Sequence, residues 1–257
     1  MSQFLIIPNR EQIEESLALC VEYNLSFELN DYFHPNTLDD EEKCAEITRF
    51  YNALNAPVLT SHGDFFDVLV FSEDKKIAAI SEQRIVQSMD AAKAAGAGAV
   101  IFHSNMEPFI TAETYRNNWL DKNEEVFRRI CAKYPDMNVY MENMFDTEPD
   151  EIANLAERMT DVANFGICFD YAHAYLTSTP LLVWAEVLAP YIRHVHINDN
   201  DGRNDLHLAL GDGTIDWVKF LKLREMYFPN ASVLIETTPI ENQKKSLKFM
   251  KKMGFFK

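Results

Sequence analysis

Eight short apolar segments, each followed by a segment whose apolar residues recur at helical spacing, constrain the fold of this chain most strongly. The predicted strands are residues 4–7, 25–29, 57–62, 99–103, 138–142, 165–170, 192–197 and 232–235. The predicted helices are residues 10–23, 40–54, 81–95, 118–133, 150–159, 181–188, 217–226 and 242–252. Alternating strands and helices favour a parallel sheet, and eight such units in 257 residues predict a single α/β domain over residues 1–257, a (β/α)8 TIM barrel.

A doubly wound open sheet is the alternative arrangement of the same elements. Folds of that kind commonly bind a dinucleotide at a glycine-rich turn after the first strand. No GxGxxG pattern or other phosphate loop follows the strand at 4–7, and no linker rich in Gly, Pro or Ser divides the chain. We therefore favour the closed barrel.

The net charge and the distribution of apolar residues limit the classes of partner that this chain is expected to bind. A formal net charge of −16 repels polyanions, which disfavours nucleic acid and favours a small-molecule substrate, although a bound metal ion would reverse the field locally. No apolar run approaches the roughly twenty residues of a membrane helix. The N-terminal residues also lack the layout of a signal peptide, so we expect a cytoplasmic protein with no membrane partner. The four cysteines show no CxxC spacing and are expected to be reduced, and a homo-oligomer is compatible with the sequence.

Polar residues end or follow six of the predicted strands. Active sites of (β/α)8 barrels lie at the carboxyl ends of the strands, so these side chains are expected to meet on one rim. Five of the seven histidines belong to this set. Imidazole and carboxylate together favour a divalent metal, whether Mn, Zn, Co or Mg. The predicted metal ligands are His62, His103, Glu142, Asp170, His173, His196, Asp205, His207 and Glu236.

Two of these carboxylates also suit acid–base catalysis. Glu142 and Glu236 end strands that are three apart in the barrel, so a metal between them would leave one carboxylate on either face of a substrate. Glu28, at the end of the second strand, is a candidate substrate contact, and Phe65 and Trp217 are candidate pocket walls.

Seven motifs along nearly the whole chain resemble the xylose isomerase-like TIM-barrel superfamily. That superfamily joins sugar isomerases and epimerases with the endonuclease IV type of AP endonuclease (AP endonuclease family 2). The matching motifs are Ser61-His62-Gly63-Asp64-Phe65, Phe102-His103-Ser104-Asn105, Met141-Glu142-Asn143, Phe169-Asp170-Tyr171-Ala172-His173, His196-Ile197-Asn198-Asp199, Asp205-Leu206-His207 through Leu210-Gly211-Asp212-Gly213-Thr214-Ile215-Asp216-Trp217, and Leu234-Ile235-Glu236-Thr237.

The resemblance implies two different sites. A ketose 3-epimerase site would hold one Mn-type ion with Glu142, Asp170, His196 and Glu236. Its two glutamates would transfer protons through an enediolate, while His173 and Arg203 anchor sugar oxygens. An endonuclease IV site would instead hold up to three zinc ions with all nine predicted ligands.

Three features favour the epimerase-like site. Asn200-Asp201-Gly202 stands where the endonucleases carry a basic residue, Leu206 replaces another, and residues 30–39 contain no Lys or Arg for a DNA backbone. No lysine ends a strand on the rim, which favours proton transfer over a hydride shift. The sequence thus predicts a divalent-metal-dependent isomerase or epimerase of a sugar, sugar phosphate or polyol. A zinc phosphodiesterase and a non-catalytic sugar-binding barrel are the alternatives.

Overall fold

Eight parallel strands pair in sequence order and close into a barrel, with β8 hydrogen-bonded to β1. The computed structural model describes residues 3–256. The strands are β1 (Phe4–Ile6), β2 (Leu25–Leu29), β3 (Val58–His62), β4 (Ala99–His103), β5 (Asn138–Glu142), β6 (Phe165–Asp170), β7 (Ile192–Ile197) and β8 (Ser232–Ile235). All eight predicted strands are present, and the closed barrel excludes the doubly wound sheet.

Helices connect the strands, as a parallel barrel requires. They are α1 (Ile13–Tyr23, after a 3-10 turn at Arg10–Gln12), α2 (Pro35–Leu38), α3 (Glu41–Ala53), α4 (Lys75–Ala94), α5 (Glu113–Lys133), α6 (Asp150–Arg158), α7 (Tyr171–Tyr175), α8 (Leu181–Leu188), α9 (Trp217–Tyr227) and α10 (Ile240–Met253). The short helices α2 and α7 were not predicted, because one turn is too short to show an apolar period.

Two helices begin five or six residues before their predicted starts. The first six residues of α4 are exposed or half-buried, and Ile77 and Ile80 are among the exposed ones, so this part of the helix carries no buried face that could signal it. The helix begins there because the Asp74 side chain accepts a hydrogen bond from the Lys76 amide at 2.8 Å. The first turns of α5 are likewise exposed or half-buried until Trp119.

The hydrophobic core joins the strands to the helices that surround them. Buried Ile, Val, Leu and Phe side chains of the strands form one cluster with apolar residues of α3, α4, α5, α8 and α9. All four cysteines are free, and Cys20, Cys131 and Cys168 are buried. Across residues 3–256, no helix combines the length and apolarity needed to cross a bilayer.

Asp170 links the barrel to the rim above it. This residue ends β6 and also caps α7, where its Oδ1 accepts a hydrogen bond from the His173 amide at 2.6 Å. The cap holds the side chains of Asp170 and His173 next to each other over the barrel mouth. It also leaves Asp170 Oδ2 available for a ligand.

Candidate metal centre

All nine predicted ligands lie at the carboxyl-terminal mouth of the barrel, and eight of them form three groups. Within each group, one ligand atom of every residue lies within 4.8 Å of the others. The inner group is His62, His103 and Glu142; the central group is Glu142, Asp170 and His196; the outer group is His173, Asp205 and His207. Glu142 belongs to two groups.

The inner group comprises two imidazoles that converge on one carboxylate oxygen. The Nε2 atoms of His62 and His103 lie 3.5 and 3.4 Å from Glu142 Oε2, and the two rings meet edge to face. His62 Nδ1 donates a hydrogen bond to the Gly63 carbonyl at 2.9 Å, so Nε2 is the nitrogen available to a metal. Burial lowers the pKa of His103, which favours the neutral imidazole that binds metals.

The central group is completely buried and rich in carboxylate. His196 Nδ1 lies 3.3 Å from Glu142 Oε2 and 3.6 Å from Glu236 Oε2, so Glu236 joins this group as a fourth candidate ligand. Burial raises the pKa of Asp170 to about 7; His173 opposes this rise, and the nearby Glu142 and Glu236 add to it. Burial also opposes ionisation of Glu142, but His196 and His103 outweigh it and hold the pKa of Glu142 well below its usual value.

The outer group lies at the entrance and is partly open to solvent. Asp205 Oδ2 lies 3.4 Å from His173 Nε2 and 3.1 Å from His207 Nε2. Each imidazole donates from Nδ1 to a backbone carbonyl, His173 to Asn143 at 2.9 Å and His207 to Glu236 at 3.1 Å. Burial opposes protonation of His207, but Asp205 and Glu236 outweigh it and raise the pKa of His207 to about 10.

The donor atoms of the central group fit a divalent cation. Glu142 Oε1 and Oε2, Asp170 Oδ2, Glu236 Oε2 and His196 Nδ1 are buried without a hydrogen-bond partner among residues 3–256. Buried carboxylate oxygens without donors are costly unless a cation satisfies them. Three carboxylates and one imidazole form a ligand set that suits Mn or Mg, whereas the histidine-rich inner and outer groups suit Zn.

Asp199 organises the loop that carries Asp205 and His207. Its Oδ1 accepts from the amides of Asn200 (3.0 Å) and Ile215 (3.2 Å), and its Oδ2 accepts from the Gly211 amide (2.8 Å) and the Trp217 indole (2.9 Å). The sequence did not indicate this role.

The loop also depends on glycine at position 213. A Cβ atom on Gly213 would lie 2.2 Å from the Asn200 carbonyl oxygen and 2.3 Å from Asp199 Oδ1, so no larger residue fits there.

The predicted substrate contacts are divided between the pocket and the interior. Phe65 packs against both inner imidazoles, with ring centroids 5.1 Å from His62 and 4.6 Å from His103. Arg203 is exposed on the loop after β7. Together with His173, these residues remain candidate substrate contacts.

The structure places Glu28 and Trp217 in the interior of the protein, whereas both were predicted to contact the substrate. Trp217 is 3% exposed, and its indole binds Asp199 beneath the loop. Glu28 is completely buried and lies under His196, on the side of the ring opposite to Glu142. Both side chains point inward, and the sequence holds no signal of this for Trp217. A signal for Glu28 was available, because Ser26 and Glu28 alternate as polar residues in an otherwise apolar strand.

Comparison with known proteins agrees with this architecture. A family model described as a xylose isomerase-like TIM barrel matches residues 11–253. The chain belongs to this family. The family therefore confirms the resemblance seen in the motifs.

Solved structures of similar fold include an epimerase-like protein and an endonuclease IV. The TTHB071 protein of Thermus thermophilus, from crystals soaked with ZnCl2, has a TM-score of 0.77 at 24% identity and covers 99% of this chain and 98% of its own. A D-tagatose 3-epimerase-like protein has a TM-score of 0.77 at 20% identity, with 97% and 96% covered. Endonuclease IV from Thermus thermophilus has a TM-score of 0.64 at 15% identity, with 99% of each chain covered. These similarities show the fold.

Proposed function

We propose that this xylose isomerase-like barrel is a divalent-metal-dependent isomerase or epimerase of a sugar, sugar phosphate or polyol that acts by proton transfer. One observation carries the proposal. Glu142 ends β5 and Glu236 directly follows β8, and their Oε2 atoms lie 3.3 and 3.6 Å from His196 Nδ1. The site thus has two carboxylates around one candidate metal position.

The residues of the central group can divide the reaction between them. Glu142, whose pKa is held well below its usual value despite its burial, is ionised at neutral pH and can accept a proton from a carbon next to a carbonyl. Glu236 would return a proton from the other side. A divalent ion, when held by Glu142, Asp170, His196 and Glu236, supplies polarisation of the substrate carbonyl.

The remaining contacts suit a small polar substrate. Phe65 offers an aromatic face beside the inner imidazoles, and His173 and Arg203 would bind substrate oxygens. The burial of the central group limits the reacting part of the substrate to a small molecule or an end group.

Solvent exchange tests the proposal. The metal-loaded protein is incubated in D2O with a panel of ketoses, aldoses and their phosphates, separately with Mn²⁺, Co²⁺, Mg²⁺ and Zn²⁺. We expect isomerised or epimerised product with deuterium at the carbon that exchanges its proton. Turnover without deuterium would contradict proton transfer through an enediolate, and sugar binding without turnover would support a non-catalytic barrel.

A metal-dependent phosphodiesterase is the second candidate, because the inner and outer groups complete a nine-ligand set that one metal does not need. The net charge of −16 and the absence of Lys and Arg from residues 30–39 weigh against duplex DNA as its substrate. Three zinc ions per chain, together with cleavage of abasic duplex DNA, would support this candidate. A single Mn-type ion and no cleavage would exclude it.

A further inference from the structure

Beneath the candidate metal centre lies a buried layer of polar residues inside the barrel. Glu28 of β2, Thr60 of β3 and His194 and His196 of β7 are all at most 2% exposed. Glu28 Oε2 accepts a hydrogen bond from Thr60 Oγ1 at 2.6 Å and contacts His194 Nε2 at 3.0 Å. Its other oxygen, Oε1, lies 3.1 Å from His196 Nε2.

His196 is oriented differently from His62, His173 and His207, the three rim histidines whose rings bond to a backbone carbonyl. His62, His173 and His207 each donate from Nδ1 to a backbone carbonyl and turn Nε2 toward their carboxylates. His196 turns Nδ1 toward Glu142 and Glu236, and its Nε2 faces Glu28. Neither His196 Nε2 nor Glu28 Oε1 has a hydrogen bond of conventional geometry among residues 3–256, so their contact with each other is the polar contact that the two atoms share.

His194 holds Glu28 in place from below. The Nδ1 atom of His194 lies 2.6 Å from Ser232 Oγ, and its ring stacks on Tyr140 with centroids 6.2 Å apart. Because His194 and Thr60 occupy Glu28 Oε2, the carboxylate cannot rotate without losing two contacts. Oε1 therefore stays directed at His196.

We propose that Glu28 is a positioning residue that fixes His196 with a protonated Nε2 and an unprotonated Nδ1 directed at the candidate metal position. This inference rests on the proposed metal-dependent function. A carboxylate next to the distal nitrogen of a metal-binding histidine fixes the tautomer and the ring orientation and increases the basicity of the ligand nitrogen. The imidazole of His196 lies between Glu28 and the two glutamates of the central group, so Glu28 is placed to act through His196 and not on the substrate.

Two substitutions distinguish the effect of the Glu28 charge from that of its hydrogen-bond acceptor. Glu28→Gln keeps an oxygen that can accept from His196 Nε2, and its amide can donate to the Thr60 hydroxyl, but the charge is lost. Glu28→Leu removes both the acceptor and the charge. Asp31→Asn is the matched control, because Asp31 follows the same strand and contacts Tyr51 and Arg10 instead of an imidazole.

Zinc affinity, measured by competition with a chromophoric chelator, and long-range proton–nitrogen spectra of the zinc-loaded, 15N-histidine-labelled protein are the readouts. In the wild type we expect a His196 signal with protonated Nε2 and metal-bound Nδ1. Glu28→Gln should retain this signal and bind zinc about 10–100-fold more weakly at the central group. Glu28→Leu should lose the signal, and Asp31→Asn should resemble the wild type.

Wild-type zinc affinity in both variants, together with an unchanged His196 signal in Glu28→Leu, would overturn the proposal. If the leucine variant does not fold, an unchanged zinc affinity in Glu28→Gln is sufficient to overturn it. Neither readout requires turnover. A wild-type protein that binds zinc through His196 Nδ1 but shows no isomerase activity would therefore contradict the proposed function and leave the role of Glu28 standing.

Discussion

The carboxylate of Asp205, on the loop after β7, reaches the imidazole of His173, on the helix after β6, with Oδ2 3.4 Å from Nε2. The same oxygen lies 3.1 Å from His207 Nε2. A loop that only covered a substrate would not need to direct one carboxylate at two imidazoles. The outer group therefore has the donors of a second metal site at the entrance.

Substitution of Asp205 by Asn should affect the outer group alone. Asp205 is in none of the contacts of Glu142, Asp170 or His196, so we expect the central group to keep its metal while affinity at the outer group falls at least about 10-fold. Metal titration followed by elemental analysis measures this. Asp201→Asn, an exposed acid of the same loop, is the control, and loss of all bound metal in Asp205→Asn would contradict independent groups.

Glu142→Gln should abolish most activity without unfolding the protein. Glu142 is shared by the inner and central groups, so its loss weakens metal binding at both and removes the proposed base. We expect kcat to fall about 10²–10⁴-fold with an unchanged circular dichroism spectrum. The control is Glu107→Gln, an exposed residue on the loop after β4. Turnover close to that of the wild type would rule out Glu142 as the base.

Asp199→Asn should destabilise the loop and the protein. The amide nitrogen of Asn cannot accept, so two of the four donors around Asp199 lose their partner. Each unsatisfied buried donor costs about 1–3 kcal/mol, which predicts a fall of about 2–5 kcal/mol in the free energy of unfolding. Urea denaturation measures it. Asp212→Asn, an ion-pair partner of Lys245 on the same loop, should change the free energy by less than about 1 kcal/mol.

Metal affinity should increase with pH. Burial opposes protonation of His207 and His173, but Asp205 and Glu236 raise the pKa of His207 to about 10, and Asp170 and Asp205 raise the pKa of His173 well above its usual value. In the metal-free protein both imidazoles hold protons at pH 7, and a metal must displace them. We expect proton release on zinc binding, measured by calorimetry in two buffers with different ionisation enthalpies, and tighter binding at pH 8 than at pH 6.

The same pKa shifts affect the stability of the metal-free protein. Because the folded pKa values exceed the unfolded value of about 6.5, the two imidazoles stabilise the fold below pH 6.5, and the contribution of His207 is lost as the pH rises toward 10. The melting temperature of the metal-free protein should therefore fall over this range. The melting temperature of the zinc-loaded protein should fall less over the same pH range. An equal dependence of melting temperature on pH in the two forms would contradict protonated imidazoles in the metal-free protein.

The positions of the strands, and the side chains that reach the carboxyl-terminal rim, could be predicted from the sequence. The apolar runs at 99–103 and 165–170 are β4 and β6 with unchanged bounds, because buried parallel strands need nearly continuous apolar residues. In a parallel barrel all carboxyl ends point the same way, so His103 and His196 had to reach one rim whatever their separation in the chain.

The division of the ligands into groups did not follow from the sequence. It depends on loop paths, such as the hydrogen bonds of Asp199 that hold Asp205 beside His173. The ring nitrogen that each histidine presents depends on backbone carbonyls, such as that of Asn143, which carry no residue-specific signal. Sequence patterns describe side chains, and these contacts involve the main chain.

The residue pattern alone was enough to predict the barrel, its eight strands and the nine candidate ligands at its mouth, because apolar periodicity and strand direction are visible within each segment. The sharing of Glu142 between two groups, the inward orientation of Trp217 and the position of Glu28 beneath His196 are evident only in the folded protein. Those features depend on contacts between residues far apart in the chain, and such contacts form only when the barrel brings the segments together.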